Sequence, residues 1–308
     1  PGLDPSTLVR VERWRSWAGP AARLAPRESF ADWDRGDLPF VCDDPFRFHL
    51  GNGTPGIVLE NDTGLPVSGG LAFRYQGGPL RLRFRFRVER LDWEGSIRIG
   101  MESAGRMGLS WRRPILDAGS FLSSTLWKTG ASGPDAMFYV SCDGSPRQDV
   151  PFHEHVPADR TRFAPEGRDY SMELEYVPGL DRLRVHLESP GALDWTKDVD
   201  LAFRLEPDVY CLGWPSFRSQ GVAVAARSIA RSTLRSIEIE SSDARSSTLR
   251  MDRAPTPRER LLQANGDLAI GRRDVALASY AEVIAQASAQ GDRSTLGRAL
   301  LFRALATG

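Results

Sequence analysis

Residues 80–91 read LRLRFRFRVERL, and this alternation constrains the chain more than any other feature. Leu80, Leu82, Phe84, Phe86 and Val88 fall at every second position, with Arg81, Arg83, Arg85 and Arg87 between them. A helix would scatter that pattern around its circumference, because its period is 3.6. A strand sends alternate side chains to opposite faces. The segment predicts a long antiparallel strand with one face in a core and one in water. Four arginines on one face suit either an anionic ligand or acidic residues on neighbouring strands. The second is the expectation here.

The same period of two governs the chain from Phe30 to about Glu240. Strands are predicted at Gly56–Glu60, Gly70–Tyr75, Ser96–Met101, Met107–Trp111, Phe121–Trp127 and Met137–Cys142. Others are predicted at Tyr170–Val177, Arg182–Glu188, Val209–Leu212, Gly221–Ala226 and Thr233–Glu240. YSMELEYVPGLDRLRVHLES is the clearest hairpin, with its turn at Pro178–Asp181. There Leu183, Val185 and Leu187 face the core and His186 faces out. So many strands without an intervening long helix predict a mostly-β fold of two antiparallel sheets packed face to face. A closed barrel is the alternative. No Cys–Trp–Cys arrangement supports an immunoglobulin domain.

The flanks read differently. Residues 1–27 are an Arg-rich linker or docking segment with Trp14 and Trp17, with a short helix over Ser6–Trp17. The sandwich is expected over 28–242, and a polar, proline-bearing linker over 243–256. In 257–308 the period becomes 3.6, with helices over Arg258–Leu268 and Asp274–Ala287 and a third from about Ser294. Truncation near Ser241 is expected to leave a soluble all-β domain.

Basic and acidic residues number 40 each, so the formal net charge is zero, which argues against a nucleic-acid partner. All the basic residues but Lys128 and Lys197 are arginine, leaving few amines for Schiff-base chemistry. Cys42, Cys142 and Cys211 form no CxxC pair and read as buried thiols rather than a disulfide framework. No stretch approaches the length of apolar sequence that spans a bilayer. No signal peptide is visible, and both ends look cut from a longer polypeptide. The expected location is cytoplasmic, or the soluble part of a membrane-associated bacterial parent.

The C-terminal segment resembles a tetratricopeptide repeat. Ala264 and Ala276 sit at its small-residue positions, Gly271 at its turn, Tyr280 at its large aromatic position and Val283 at a later apolar one. The resemblance implies further repeats after Gly308. The larger part resembles a concanavalin A-like, laminin-G-like jelly-roll sandwich, through the ESFADWDRGDL segment, the LEYVPGLDRLRVHLES hairpin and the closing LRSIEIES strand. That order resembles the non-catalytic C-terminal region of bacterial serine/threonine protein kinases. The kinase machinery itself has no counterpart here: there is no HRD loop and no DFG.

Several constellations bear on chemistry. Alternation in PFHEHVP puts His153 and His155 on one side, an HxH pair that Asp149 and Asp159 would have to complete. The expectation is a surface loop instead. Asp43, Asp44, Asn61 and Asp62 are oxygen donors on loops that would suit calcium without EF-hand spacing. No other cofactor and no catalytic residue is expected. Glu89, Asp92 and Glu94 are the densest carboxylate set for a glycoside hydrolase, yet their three-then-two spacing does not align them simply. No GxSxG is present. A ligand surface at the loop ends would use Trp111, Arg112, Arg113, Trp214, Phe217 and Arg218, although core anchoring of the two tryptophans competes with it.

The leading functional expectation is a non-catalytic sensor or interaction region that contacts a protein or peptide. The alternative is a carbohydrate-binding sandwich or, behind it, a glycoside hydrolase. A purely structural spacer is the third.

Overall fold

The computed structural model describes residues 22–24, 40–51, 56–62, 67–91, 96–103, 121–128, 136–143, 152–156, 166–201, 204–217, 230–241, 247–248 and 254–308, several of these as backbone alone. They form two eight-stranded antiparallel sheets and three C-terminal helices. Sheet A comprises β1 (Ala22–Leu24), β3 (Phe48–Leu50), β4 (Ile57–Asn61), β6 (Leu80–Leu91), β11 (Arg168–Val177), β12 (Arg182–Ser189), β13 (Leu193–Asp200) and β15 (Ala230–Ser241). Its order is β13-β12-β11-β6-β15-β4-β3, with β1 on β15. Sheet B comprises β2 (Phe40–Cys42), β5 (Val67–Tyr75), β7 (Ser96–Ser103), β8 (Phe121–Lys128), β9 (Ala136–Asp143), β10 (Phe152–Val156), β14 (Asp208–Phe217) and β16 (Ser247–Thr248). Its order is β10-β9-β8-β7-β14-β5-β16, with β2 on β5. This is the mostly-β sandwich that the period of two predicts, with a short helical segment after it.

The alternation in β6 is the reason for the fold. Leu80, Leu82, Phe84, Phe86 and Val88 are buried in one cluster with Leu174 and Leu183 of sheet A and with Phe73, Ile99, Met101 and Leu212 of sheet B. Phe86 stacks on Tyr170 at a centroid distance of 5.2 Å. The arginines between them form a ladder on the outer face of sheet A. Arg81 reaches Glu175 and Glu240, each at 2.8 Å. Arg83 pairs with Glu173 and, at 2.9 Å, with Glu238. The strand register sets these partners, because Glu175 and Glu240 both lie opposite Arg81 and Glu173 and Glu238 opposite Arg83. The row is matched by acids, as expected.

The hairpin forms β11 and β12, with Asp181 at φ 45° in its turn. Leu183, Val185 and Leu187 are buried, while His186 lies on the outer face 3.1 Å from Asp194. The predicted strands Met107–Trp111 and Gly221–Ala226 and the helix over Ser6–Trp17 lie outside the described residues. Several short strands carry no readable period: β1 falls in the expected linker or docking segment, β16 in the expected second linker, and β2 and β3 have three residues each. β13 was also missed, because LDWTKDVD mixes polarity on both faces.

The helices are α1 (Pro257–Ala269), α2 (Arg273–Gln290) and α3 (Arg293–Thr307). Thr256 caps α1 through a reciprocal pair with Glu259, and Pro257 occupies the first turn, where its missing N–H costs nothing. Ala264, Ala276, Tyr280 and Val283 are fully buried in the packing between α1 and α2. Gly271 takes a left-handed φ of 84° in the turn between these helices.

The helices are not held apart from the sandwich by a linker. On the outer face of sheet B, Val41, Ala72, Val209 and Cys211 are buried together with Leu262 of α1. Ala269 and Ile270 at the end of α1 join the main core. Gly266 faces β2 so closely that a Cβ there would lie 1.7 Å from the Phe40 carbonyl oxygen. Removing the helices would therefore uncover an apolar patch on sheet B.

Candidate functional site

The outer faces of the two sheets differ in chemistry. Over most of sheet A the face is self-neutralising. Besides the arginine ladder, Arg184 meets Asp198 at 2.7 Å and Arg182 meets Asp200 at 3.1 Å. Such matched rows offer little to a charged ligand.

Sheet B is divided. Its β2-β5-β14 part is covered by α1. In the β7-β8-β9-β10 part, the register decides which residues share a face. Ile97, Ile99 and Met101 belong to the core, so residues 98, 100 and 102 take the opposite phase. Arg98 is opposite Thr125, Thr125 opposite Tyr139, and Tyr139 opposite His155. One row along, Gly100, Ser123, Ser141 and His153 are aligned in the same way. Glu102, Phe121 and Asp143 make a third row, and Ser96, Trp127 and Met137 a fourth. The outer phase thus collects hydroxyl, imidazole, guanidinium, aromatic and carboxylate residues. The core phase of the same strands is Leu122, Leu126, Ala136, Phe138, Val140, Cys142, Phe152 and Val156, interrupted by Ser124, Lys128 and Glu154.

The histidines of PFHEHVP are therefore not in a loop. They lie on β10, the edge strand of sheet B, paired with β9. Sequence inspection missed this because Pro151 and Pro157 bracket the segment, and prolines commonly bound loops. Edge strands tolerate flanking prolines because one side of the strand needs no ladder bonds. Asp149 and Asp159 lie outside the described residues.

The calcium candidates have different surroundings. Asp43 Oδ1 accepts from the Ser68 N–H at 2.9 Å, and burial pushes its carboxyl up to about 6. Asp44 caps its own turn by accepting from the Phe46 N–H at 3.0 Å. Asp62 pairs with Arg47, which also lies 3.7 Å from Asp44. Asn61 is buried on β4. The cation that Asp44 and Asp62 share is thus the Arg47 guanidinium. Among the described residues, no group of three or more histidine, cysteine or acidic side chains is arranged to hold a metal ion.

Of the loop-end ligand surface, Trp111, Arg112, Arg113 and Arg218 lie outside the described residues. Trp214 and Phe217 fall on β14, and a register shift lies between them. Trp214 is in phase with the core residues Tyr210 and Leu212. Of the carboxylate set, Asp92 and Glu94 lie outside the described residues, and Glu89 belongs to the outer face of sheet A. Cys42 and Cys211 are buried free thiols whose ionisation burial disfavours.

Sequence inspection missed Asn265 and Gly266, which seat α1 on the sandwich. A signal was available. Both residues are poor helix formers in mid-helix, a cost that a sequence bears when a contact requires it.

No protein-family model and no curated protein matches the chain in sequence. In structure it is similar to the alginate lyase from Klebsiella pneumoniae, at 12% identity and a TM-score of 0.44, over 63% of this chain and 84% of that one. Peanut lectin with a bound nonapeptide is similar at 14% identity and a TM-score of 0.44, over 73% of this chain and 97% of that one. Lectin II from Ulex europaeus follows at 12% identity and 0.43, over 67% and 93%. These comparisons lend no support to the tetratricopeptide-repeat or kinase kinship. Among the described residues, no helix is long and apolar enough to cross a membrane.

Proposed function

We propose that this chain is a carbohydrate-binding sandwich whose ligand lies across the outer phase of β7, β8, β9 and β10. One observation carries the reading. The register aligns Arg98, Thr125, Tyr139 and His155, and beside them Ser123, Ser141 and His153, in two rows across four strands. Sugars present hydroxyl groups and apolar C–H faces together. Hydroxyl, imidazole and aromatic residues on one surface answer both. Binding without cleavage is part of the proposal. Glu102 is only 2% exposed, so it makes no accessible partner for Asp143 in an acid–base pair.

The test is affinity electrophoresis of the full chain through gels containing single polysaccharides, neutral and acidic. Retardation by at least one, lost in Tyr139→Ala and in His155→Ala with the fold intact, supports the reading. Equal mobility of the native and variant chains in every gel overturns it. Appearance of new chain ends in the retarding polysaccharide would replace binding with catalysis.

A second reading, contact with a protein through the helices, rests on Leu301 and Leu305. They stand one turn apart on α3, and each is 55% exposed. It keeps the expected interaction role and moves the surface from sheet to helix. Leu301→Glu would abolish such an association and leave carbohydrate retardation unchanged.

A further inference from the structure

The matched ladder on sheet A breaks at two positions. Val88 and Arg90 pair with Ser232 and Arg231, so Glu89 of β6 has no partner across the ladder. Leu234 and Ser236 pair with Phe86 and Arg85, so Arg235 of β15 has none either. Each is the extra residue of a β-bulge, a device that turns a side chain out of its row. Both line the same cleft of about 410 Å³, together with His49, Arg87, Arg231 and Thr233.

The two bulge residues also hold unsatisfied atoms. Glu89 Oε1 accepts from the Thr233 hydroxyl at 2.5 Å, while Glu89 Oε2 is buried with no hydrogen-bond partner among the described residues. Arg235 donates toward Asp169 at 3.0 Å, yet its Nε is likewise buried and unpartnered. Arg87 shares Asp169 at 3.2 Å. Arg231 and His49 approach Glu60 only at 3.9 and 4.0 Å. The cleft is thus lined by three guanidinium groups, of which Arg231 is loosely engaged, and by a carboxylate with one oxygen lacking a donor. Buried polar atoms without partners are costly, and a ligand that satisfies both is favoured.

We propose that this cleft binds a small hydroxylated carboxylate. The ligand's carboxylate lies against Arg231 and Arg235, and its hydroxyl donates to Glu89. The hydroxyl follows from Glu89, which can only accept when ionised. The single negative charge follows from it too, since a phosphate dianion would be repelled by the same carboxylate. The site is on the sheet opposite the proposed carbohydrate surface and stands independently of it.

Isothermal titration of the full chain with L-lactate, L-glycerate and D-gluconate tests the proposal, with propionate and inorganic phosphate as contrasts. At least one hydroxy acid is expected to bind, with L-lactate tighter than propionate. Glu89→Gln is expected to lower the affinity ratio of L-lactate to propionate at least fivefold, because the amide repels neither anion and accepts the ligand hydroxyl less strongly than a carboxylate does. Arg231→Gln is expected to weaken both, and Tyr139→Ala neither. Circular dichroism and melting confirm that each variant folds. Failure of all three hydroxy acids to bind the native chain overturns the proposal. So does an affinity ratio of L-lactate to propionate that Glu89→Gln leaves unchanged, or phosphate binding tighter than that of every hydroxy acid.

Discussion

Asn265 on α1 donates its amide to the carbonyl oxygen of Cys42 on β2 at 3.0 Å, across 222 intervening residues of chain. The same amide lies 3.3 Å from the Asp43 carbonyl, and its oxygen accepts from the Tyr280 hydroxyl at 2.8 Å. One buried side chain thereby ties the sandwich to two helices. Its removal would strand a strand-end carbonyl and a buried phenol. Asn265→Ala is expected to cost about 2–4 kcal/mol, from more than one unsatisfied buried group. In a double-mutant cycle with Tyr280→Phe, the two losses should not add, because they share a bond. Additive losses in urea unfolding would contradict the network.

Gly266 explains why the helix sits so close. Gly266→Ala would place a methyl 1.7 Å from the Phe40 carbonyl oxygen. In an isolated helix the same change would stabilise by roughly 1 kcal/mol. Here a loss of about 2 kcal/mol or more is expected from overpacking against backbone, which cannot step aside as a flexible side chain can. Thermal unfolding decides, and an unchanged or raised midpoint would show that the helix does not dock on β2.

Deletion of residues 254–308 would uncover Val41, Ala72, Val209 and Cys211, which pack with Leu262. The shortened chain is expected to melt earlier and to self-associate. Cys211, buried in the whole chain, should then react with a thiol reagent within minutes, as shown by mapping the labelled peptide. A monomer with Cys211 still protected would mean that the β domain is complete without its helices.

Asp43 makes stability depend on pH. Burial raises its carboxyl from 3.8 to about 6, against the pull of the Ser68 N–H and the nearby Arg298. The folded state therefore holds this proton more tightly than the unfolded chain does. The stability this contributes is present below about pH 4 and is lost as pH rises through 6. Asp43→Asn keeps an acceptor for Ser68 and removes the titration. The stability of the native chain relative to this variant should fall by up to about 3 kcal/mol between pH 4 and 7. A difference independent of pH would place the proton elsewhere.

Where a segment was long and one face was buried, local sequence was enough. β6, β11, β12 and β15 were legible because alternation over eight or more residues has no helical equivalent. The three-residue strands β2 and β3 were not, because so few residues establish no period. His153 and His155 could be placed on a common side but not on a sheet edge, since that depends on pairing with β9. Asp44 and Asp62 likewise converge on the Arg47 guanidinium, which spacing along the chain does not reveal.

The sequence alone determined the class of fold and the core face of each long strand. These follow from the period of a strand, a local quantity. Only the tertiary structure decided which acids meet the arginine row, that α1 covers the β2-β5-β14 part of sheet B, and that Glu89 and Arg235 meet in one cleft. Each depends on register or docking between segments far apart in the chain, and a one-residue slip in any pairing would send the same side chains to the opposite face.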